Sequence, residues 1–181
     1  MNGALPYKIA VLVYVFNNAG ALLLLHRFRA PNRNLYSPIG GKLEQAIGES
    51  PYACALREVH EEIDIRLTLD DIRLVGLVSE RAHEGEQHWL MFCFEVLRPL
   101  DFPERTISEG RLEWVPLEKV HTLTIPKTDR DVIWPLVQEH SALLRGPRAG
   151  EFFSVHIDCT VGEELDVTYE QPRRENPSPN D

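Results

Sequence analysis

Arg57-Glu58-Val59-His60-Glu61-Glu62 sets three carboxylates and one guanidinium within six residues. They end a run, Gly40–Ile65, that also carries a glycine pair and Glu49. On a helix, residues three and four apart are neighbours, so Glu58, Glu61 and Glu62 share a face. Like charges that close repel unless something positive sits among them. Arg57 stands four residues before Glu61 and can pair with it, but one arginine does not balance three carboxylates. The remaining candidate is a divalent cation that also holds phosphate oxygens. Oxygen-only ligands suit Mg²⁺, with Mn²⁺ as a substitute, rather than zinc. Gly40-Gly41 lets backbone approach the helix, so a carbonyl there can join the carboxylates. The plain alternative is a solvated surface helix of mixed charge.

The helix that must carry this face opens at Ser50-Pro51, an N-cap serine followed by proline at the first helical position. Leu56, Val59 and Ile63 recur at spacings of three and four, the stripe that would bury it. Upstream, Tyr7–Phe16 is apolar and valine-rich and is expected to be a buried strand. Asn17-Asn18-Ala19-Gly20 signals a turn, so Ala21–Arg27 is expected to return as the second strand of a hairpin. Downstream, Ile72–Ser79 and Trp89–Leu97 read as strands separated by a polar loop, Glu80–His88. Leu112–Val115 reads as a short strand before a helical turn at Pro116. Asp129–Leu144 reads as a second helix, kinked or started late at Pro135. Phe152–Cys159 and Leu165–Tyr169 read as a hairpin around Gly162, and Pro172–Asp181 as a disordered tail.

The chain has 181 residues, 43% apolar and 26% charged, with a net charge of −9. These are the proportions of one ordinary globular domain. The acidic balance argues against binding a nucleic-acid polymer, which wants a basic face. A small phosphorylated ligand stays open, because a metal ion can stand between two anions. Met1–Leu5 has no basic lead-in of a signal peptide, and no apolar stretch reaches the ~20 residues that span a bilayer. Three cysteines, Cys54, Cys93 and Cys159, sit in apolar contexts without zinc spacing. The expectation is a cytoplasmic protein with reduced, buried thiols and no membrane partner.

The run resembles the Nudix box, G-x5-E-x7-R-E-U-x-E-E-x-G-U with U apolar. Glu49, Arg57-Glu58, Val59, Glu61-Glu62 and Ile65 match it. The gap from glycine to Glu49 is longer by two, at Gln45-Ala46-Ile47. Asp64 stands where the box has its second glycine; aspartate can adopt the left-handed conformation needed there. The resemblance implies a Nudix-type α/β/α sandwich with a curved mixed β-sheet over about residues 5–145, with the C-terminal β-hairpin, about 152–169, added to it. One domain would cover residues 1–170, followed by a tail, 171–181. By the same resemblance, Glu58, Glu61, Glu62 and the Gly40 carbonyl would bind the metal. Arg57 would orient a glutamate, with Glu49 and Glu44 around the site. The chemistry implied is attack of water on one phosphorus of a pyrophosphate in a nucleoside diphosphate linked to a further group.

Outside the box, Ser108–Pro116 resembles the strand of Nudix enzymes that act on nucleoside triphosphates, notably 8-oxo-dGTP diphosphatases. In those a glutamate five residues before the tryptophan reaches the metal. Glu109 holds that position before Trp114, with Glu113 as the alternative. Ile125–Asp131 resembles their base-recognising segment, which would set Asp129 against a purine edge. Otherwise Thr128 or Asp129 caps the following helix. The aromatic that often precedes this segment is absent. Arg27 and Lys42 are candidates for a phosphate or ribose, or plain surface cations. His60 should point away from the acidic face. The competing readings are a purine nucleoside triphosphate, ADP-ribose or another diphosphate conjugate as substrate, and a Nudix module that senses a nucleotide without cleaving it. The hairpin is expected either to cover the core or to form the edge of a homodimer.

Overall fold

The computed structural model describes residues 4–29, 32–160 and 164–172. A five-stranded mixed sheet forms its centre. It is built from β1 (Tyr7–Tyr14), β4 (Ile72–His83), β5 (Gln87–Val96), β8 (Phe153–Asp158) and β9 (Asp166–Gln171), in the order β1-β5-β4-β8-β9. β1 lies parallel to β5 and β8 parallel to β4, while the other pairs are antiparallel. A second, four-stranded sheet joins β3 (Tyr36–Ser37), β2 (Leu22–Arg27), β7 (Gly110–Val115) and β6 (Arg105–Thr106), in the order β3-β2-β7-β6.

The expected hairpin of the first two strands is therefore corrected. Its turn exists, with the Asn17 side chain accepting from the Ala19 and Ala21 amides. Beyond it the strands part, and β2 pairs with β3 and β7 rather than with β1. Both strands carry apolar residues on consecutive positions, so each needs cover on two faces, which two sheets and two helical layers supply.

α1 (Pro51–Ile63) starts as its caps dictate. The Ser50 hydroxyl accepts from the Ala53 amide, and Asp64 ends the helix at φ 58°. Its buried stripe is Cys54, Ala55, Val59 and Ile63, packed with Val11, Val13, Phe94 and Leu112. Burying Val59 and Ile63 contributes about 1.5–3 kcal/mol each. Leu56, expected in that stripe, is only half-buried, and Glu62 is buried with it. The opposite layer centres on Tyr14, Val78, Trp134, Val137 and Phe153.

The second helical run departs from expectation at both ends. It is helical from Lys127 to His140, and its stretch Asp129–Ile133 is wound as a π-helix before α3 (Trp134–His140). The Trp134 amide donates to the Asp129 carbonyl, five residues back. Pro135 has no amide to donate and would crowd a carbonyl of a regular helix, so the wide turn lets the run continue. The run stops at His140 rather than Leu144 because buried Glu95 on β5 captures the next three residues. Its carboxylate accepts from the Ser141 hydroxyl and from the Ala142 and Leu143 amides, and pairs with Arg73.

β4 runs on to His83 and β5 starts at Gln87, so most of the expected loop Glu80–His88 is strand. α2 (Leu117–Val120) follows Pro116 as expected. β8 and β9 form the C-terminal hairpin, joined to the main sheet along β4. Gly162 and residues 173–181 lie outside the described residues, whereas Gln171 belongs to β9. No helix among the described residues is long and apolar enough to cross a membrane.

Candidate active site

A cleft of about 330 Å³ opens between the carboxylate helix and the start of the second helical run. One end is lined by Gly40, Gly41, Glu58, Glu109 and Arg27. The other is lined by Glu80, His83, Thr128 and Asp129, with Trp89 and Met91 also in the wall.

At the first end Arg57 is the organiser. Its Nε and Nη2 donate to the two Glu49 oxygens at 2.8 and 2.9 Å, and its Nη1 reaches Glu58 at 2.7 Å and Glu61 at 3.2 Å. The fork matches a carboxylate in two bonds, which locks the arginine in place. Glu49 also accepts from the Glu44 amide at 2.8 Å, and these bonds hold its pKa down at about 2. Glu44 thus contributes backbone, its side chain being exposed. The lengthened stretch forms a three-residue 3-10 turn, Gln45–Ile47, outside this network.

Glu61 is more than half exposed, whereas Glu62 is 6% exposed. Burial pushes the Glu62 pKa up to about 8, with Glu58 and Glu109 adding to the rise. Glu58 is raised by burial too, against the pull of Arg57. The Gly40 amide, rather than its carbonyl, is the group seen on Glu62, at 3.4 Å from Oε1. A side chain at either glycine would collide. Gly40 has φ 138° and a Cβ there would lie 2.2 Å from the Val11 carbonyl oxygen. A Cβ on Gly41 would lie 2.3 Å from the Glu58 carboxylate.

As the side chains stand, no three acidic, histidine or cysteine groups among the described residues close on one metal point. Glu58 and Glu61 both turn toward Arg57 instead. The donor chemistry nevertheless fits a hard cation: Glu62 Oε2 is buried without a hydrogen-bond partner, close to a second buried carboxylate.

Glu109 faces this end and pairs with Arg27 at 3.4 Å. Glu113, the alternative, is tied to the Tyr36 hydroxyl at 3.3 Å and does not line the cleft. Lys42 is exposed on the wall, its Nζ 5.7 Å from the Trp89 ring centre. His60 stays outside, 3.8 Å from Asp64.

The far end gathers residues that short-range patterns do not connect. Glu80 is 3% exposed and lies 3.0 Å from His83 Nδ1, which raises the His83 pKa. Asp129 sits half-buried on the wall, and burial beside Glu80 lifts its pKa to about 7. The capping alternative fails for Thr128, whose hydroxyl is buried and has no partner among the described residues. Nothing in the sequence reading singled out Glu80, His83 or Trp89. The signal for Glu80 is present all the same: Val78, Glu80 and Ala82 fall on the buried phase of β4.

A NUDIX domain family profile matches residues 6–136. The chain belongs to the NUDIX family and is a Nudix hydrolase. It is 29% identical over 147 residues to an RNA pyrophosphohydrolase of Azorhizobium caulinodans, covering 67% of this chain and 85% of the relative. Among solved structures it resembles a MutT protein of Bacillus halodurans, with TM-score 0.66 and 23% identity over 90% of this chain and 97% of that one. It also resembles a MutT protein of Methanosarcina mazei, with TM-score 0.63 and 27% identity over 76% and 98%.

Proposed function

We propose that this Nudix pyrophosphohydrolase acts on a purine nucleoside triphosphate, 8-oxo-dGTP among the candidates, and releases the monophosphate and pyrophosphate. The observation that carries the reading is the two-ended cleft: carboxylates and Arg27 at one end, a polar cluster for a base edge at the other. The phosphate chain lies at the carboxylate end, where Arg27 and Lys42 are the cations that meet it. A divalent ion, Mg²⁺ here, would be held by Glu58, Glu61 and Glu62 with Glu109 beside them, and supplies charge neutralisation and an activated water. Arg57 gathers Glu58 and Glu61 on one side of the helix, where they stand paired with the guanidinium and would turn from it to the ion. At the other end Asp129, with a pKa near 7, can donate or accept across a purine edge, and Trp89 offers a ring face.

The protein works in the cytoplasm on a small nucleotide, and its cysteines are free. The test is turnover with Mg²⁺ of 8-oxo-dGTP, dGTP, ATP and ADP-ribose, with products resolved. A purine triphosphate should have the highest kcat/KM and yield pyrophosphate. Faster turnover of ADP-ribose than of every triphosphate overturns the substrate assignment and leaves the Nudix chemistry standing.

A further inference from the structure

Glu80 and His83 stand three residues apart on β4. On a regular strand such residues point to opposite faces. Here the two side chains meet, Glu80 Oε2 lying 3.0 Å from His83 Nδ1, and both line the cleft. The cause lies between them. Glu80 pairs with Trp89 and His83 with Gln87, so Arg81 and Ala82 together stand opposite His88 alone. The extra residue makes a β-bulge, which re-aims the side chain that follows it. Ala82 takes up the change at φ 52°, a left-handed conformation that is costly for a residue with a Cβ. Such a conformation persists only where its surroundings hold it.

The bulge is held from three directions. The Arg81 carbonyl accepts from the Cys159 amide at 3.0 Å, and the Ala82 carbonyl from the Gly85 amide at 2.9 Å. The Ala82 amide donates to a side chain, His88 Nδ1, at 3.0 Å. His88 is fixed in turn: its amide donates to the Pro6 carbonyl at 2.9 Å, and its ring centre lies 5.1 Å from that of Tyr7. His88 is not among the residues that line the cleft. We propose that His88 is a positioning residue, which fixes the bulge that brings His83 onto Glu80 and thereby shapes the far end of the cleft without touching the ligand. Its effect on substrate choice rests on the proposed reading of that end as the pole that meets the base. A ring nitrogen that accepts carries no proton, so neutral His88 holds its hydrogen on Nε2.

The test uses the full chain and two substitutions. His88→Phe keeps a ring against Tyr7 and removes the acceptor. His88→Asn keeps an acceptor, its Oδ1 standing in for Nδ1. Turnover of 8-oxo-dGTP, dGTP and ATP with Mg²⁺ is measured beside the NMR titration of the His83 ring. The Glu80 hydrogen bond is the largest cause of the raised His83 pKa, ahead of burial, which lowers it, and of the charges of Glu80, Glu84 and Asp129. His88→Phe should therefore let the His83 pKa fall toward its ordinary value. It should also raise KM for the best of the three substrates about three- to tenfold, the worth of one hydrogen bond, with kcat within about twofold. The spread of kcat/KM among the three should narrow, and His88→Asn should restore all of these. A His83 titration unmoved in His88→Phe overturns the proposal, and so does an equal fall in both variants. A ¹⁵N spectrum of the unaltered protein that places the proton of neutral His88 on Nδ1 overturns it without any variant. A His83 pKa that falls in His88→Phe while KM and purine choice stay put would leave the positioning standing and fail the reading of this end as the base pole.

Discussion

The two ends of the cleft solve the same electrostatic problem in different ways. Each sets a buried carboxylate beside a half-buried one, Glu62 with Glu58 at one end and Glu80 with Asp129 at the other. At the helix end a fixed arginine fork takes up part of the charge and leaves Glu62 Oε2 unpaired. At the far end a titratable imidazole, His83, meets Glu80, and Asp129 has a pKa near neutrality. On the proposed reading the first end would take a cation and the second a proton. A site with both can hold polyphosphate at one pole and read hydrogen-bond donors and acceptors at the other.

The sharpest break in this contrast comes from removing a carboxylate of the first end. Glu62→Gln should lower turnover at least about a hundredfold, because a ligand for the cation is lost. Thermal unfolding should show a Tm equal to or above that of the unaltered protein, since a buried carboxylate becomes a neutral isostere. Near-normal turnover would show that the acidic end is structural. Arg57→Lys comes next. Lysine cannot reproduce the fork on Glu49, and loss of charge-assisted bonds worth about 1.5–3 kcal/mol each should cut turnover about thirtyfold and lower the Tm. Rescue by lysine would mean that charge alone suffices there.

Gly41→Ala should be milder, because its Cβ displaces a side chain rather than backbone. Pushing the Glu58 carboxylate aside should cost about tenfold in turnover, with saturation demanding more Mg²⁺ and little change in Tm. The smallest effect is assigned to the proton-taking end. Asp129→Asn should raise KM for the preferred purine a few-fold and blur the choice between purines, with kcat nearly unchanged. It also carries a pH signature. The folded pKa of Asp129, about 7, lies above the unfolded value, so folding favours the protonated form. That contribution to stability is full below the unfolded pKa and lost as pH rises through about 7. The Tm of the unaltered protein minus that of Asp129→Asn should therefore fall between about pH 5 and pH 8. A flat difference would show that Asp129 is ordinary surface acid.

The same contrast explains what could be read from sequence. The helix end is contiguous: caps, apolar stripe and carboxylates all sit within Gly40–Ile65, so local periodicity places them. Asp64 takes the left-handed turn as its residue type allows. The burial of Glu62 was not legible, because a helical wheel does not say what faces it. The far end joins β4, β5 and the π-wound turn, and no local pattern links Glu80 to Asp129 across that distance. The parting of β1 and β2 into separate sheets was hidden for a related reason. A tight turn announces reversal of the chain, but strand partners are chosen by contacts from far along it, here β5 and β7.

The pairing of β8 with β4 has a further meaning for how the chain avoids sticking to copies of itself. β4 is inner only because β8 lies along it from Gly76 to Arg81, and Phe153, Val155 and Ile157 are fully buried there. A shorter product ending near residue 150 would bare that strand's amides and carbonyls beside an uncovered apolar strip. Such an edge is a ready template for another chain. The C-terminal hairpin thus acts as a built-in chaperone for the rest, and translation cut short before Phe153 would release a core prone to stacking on its own copies.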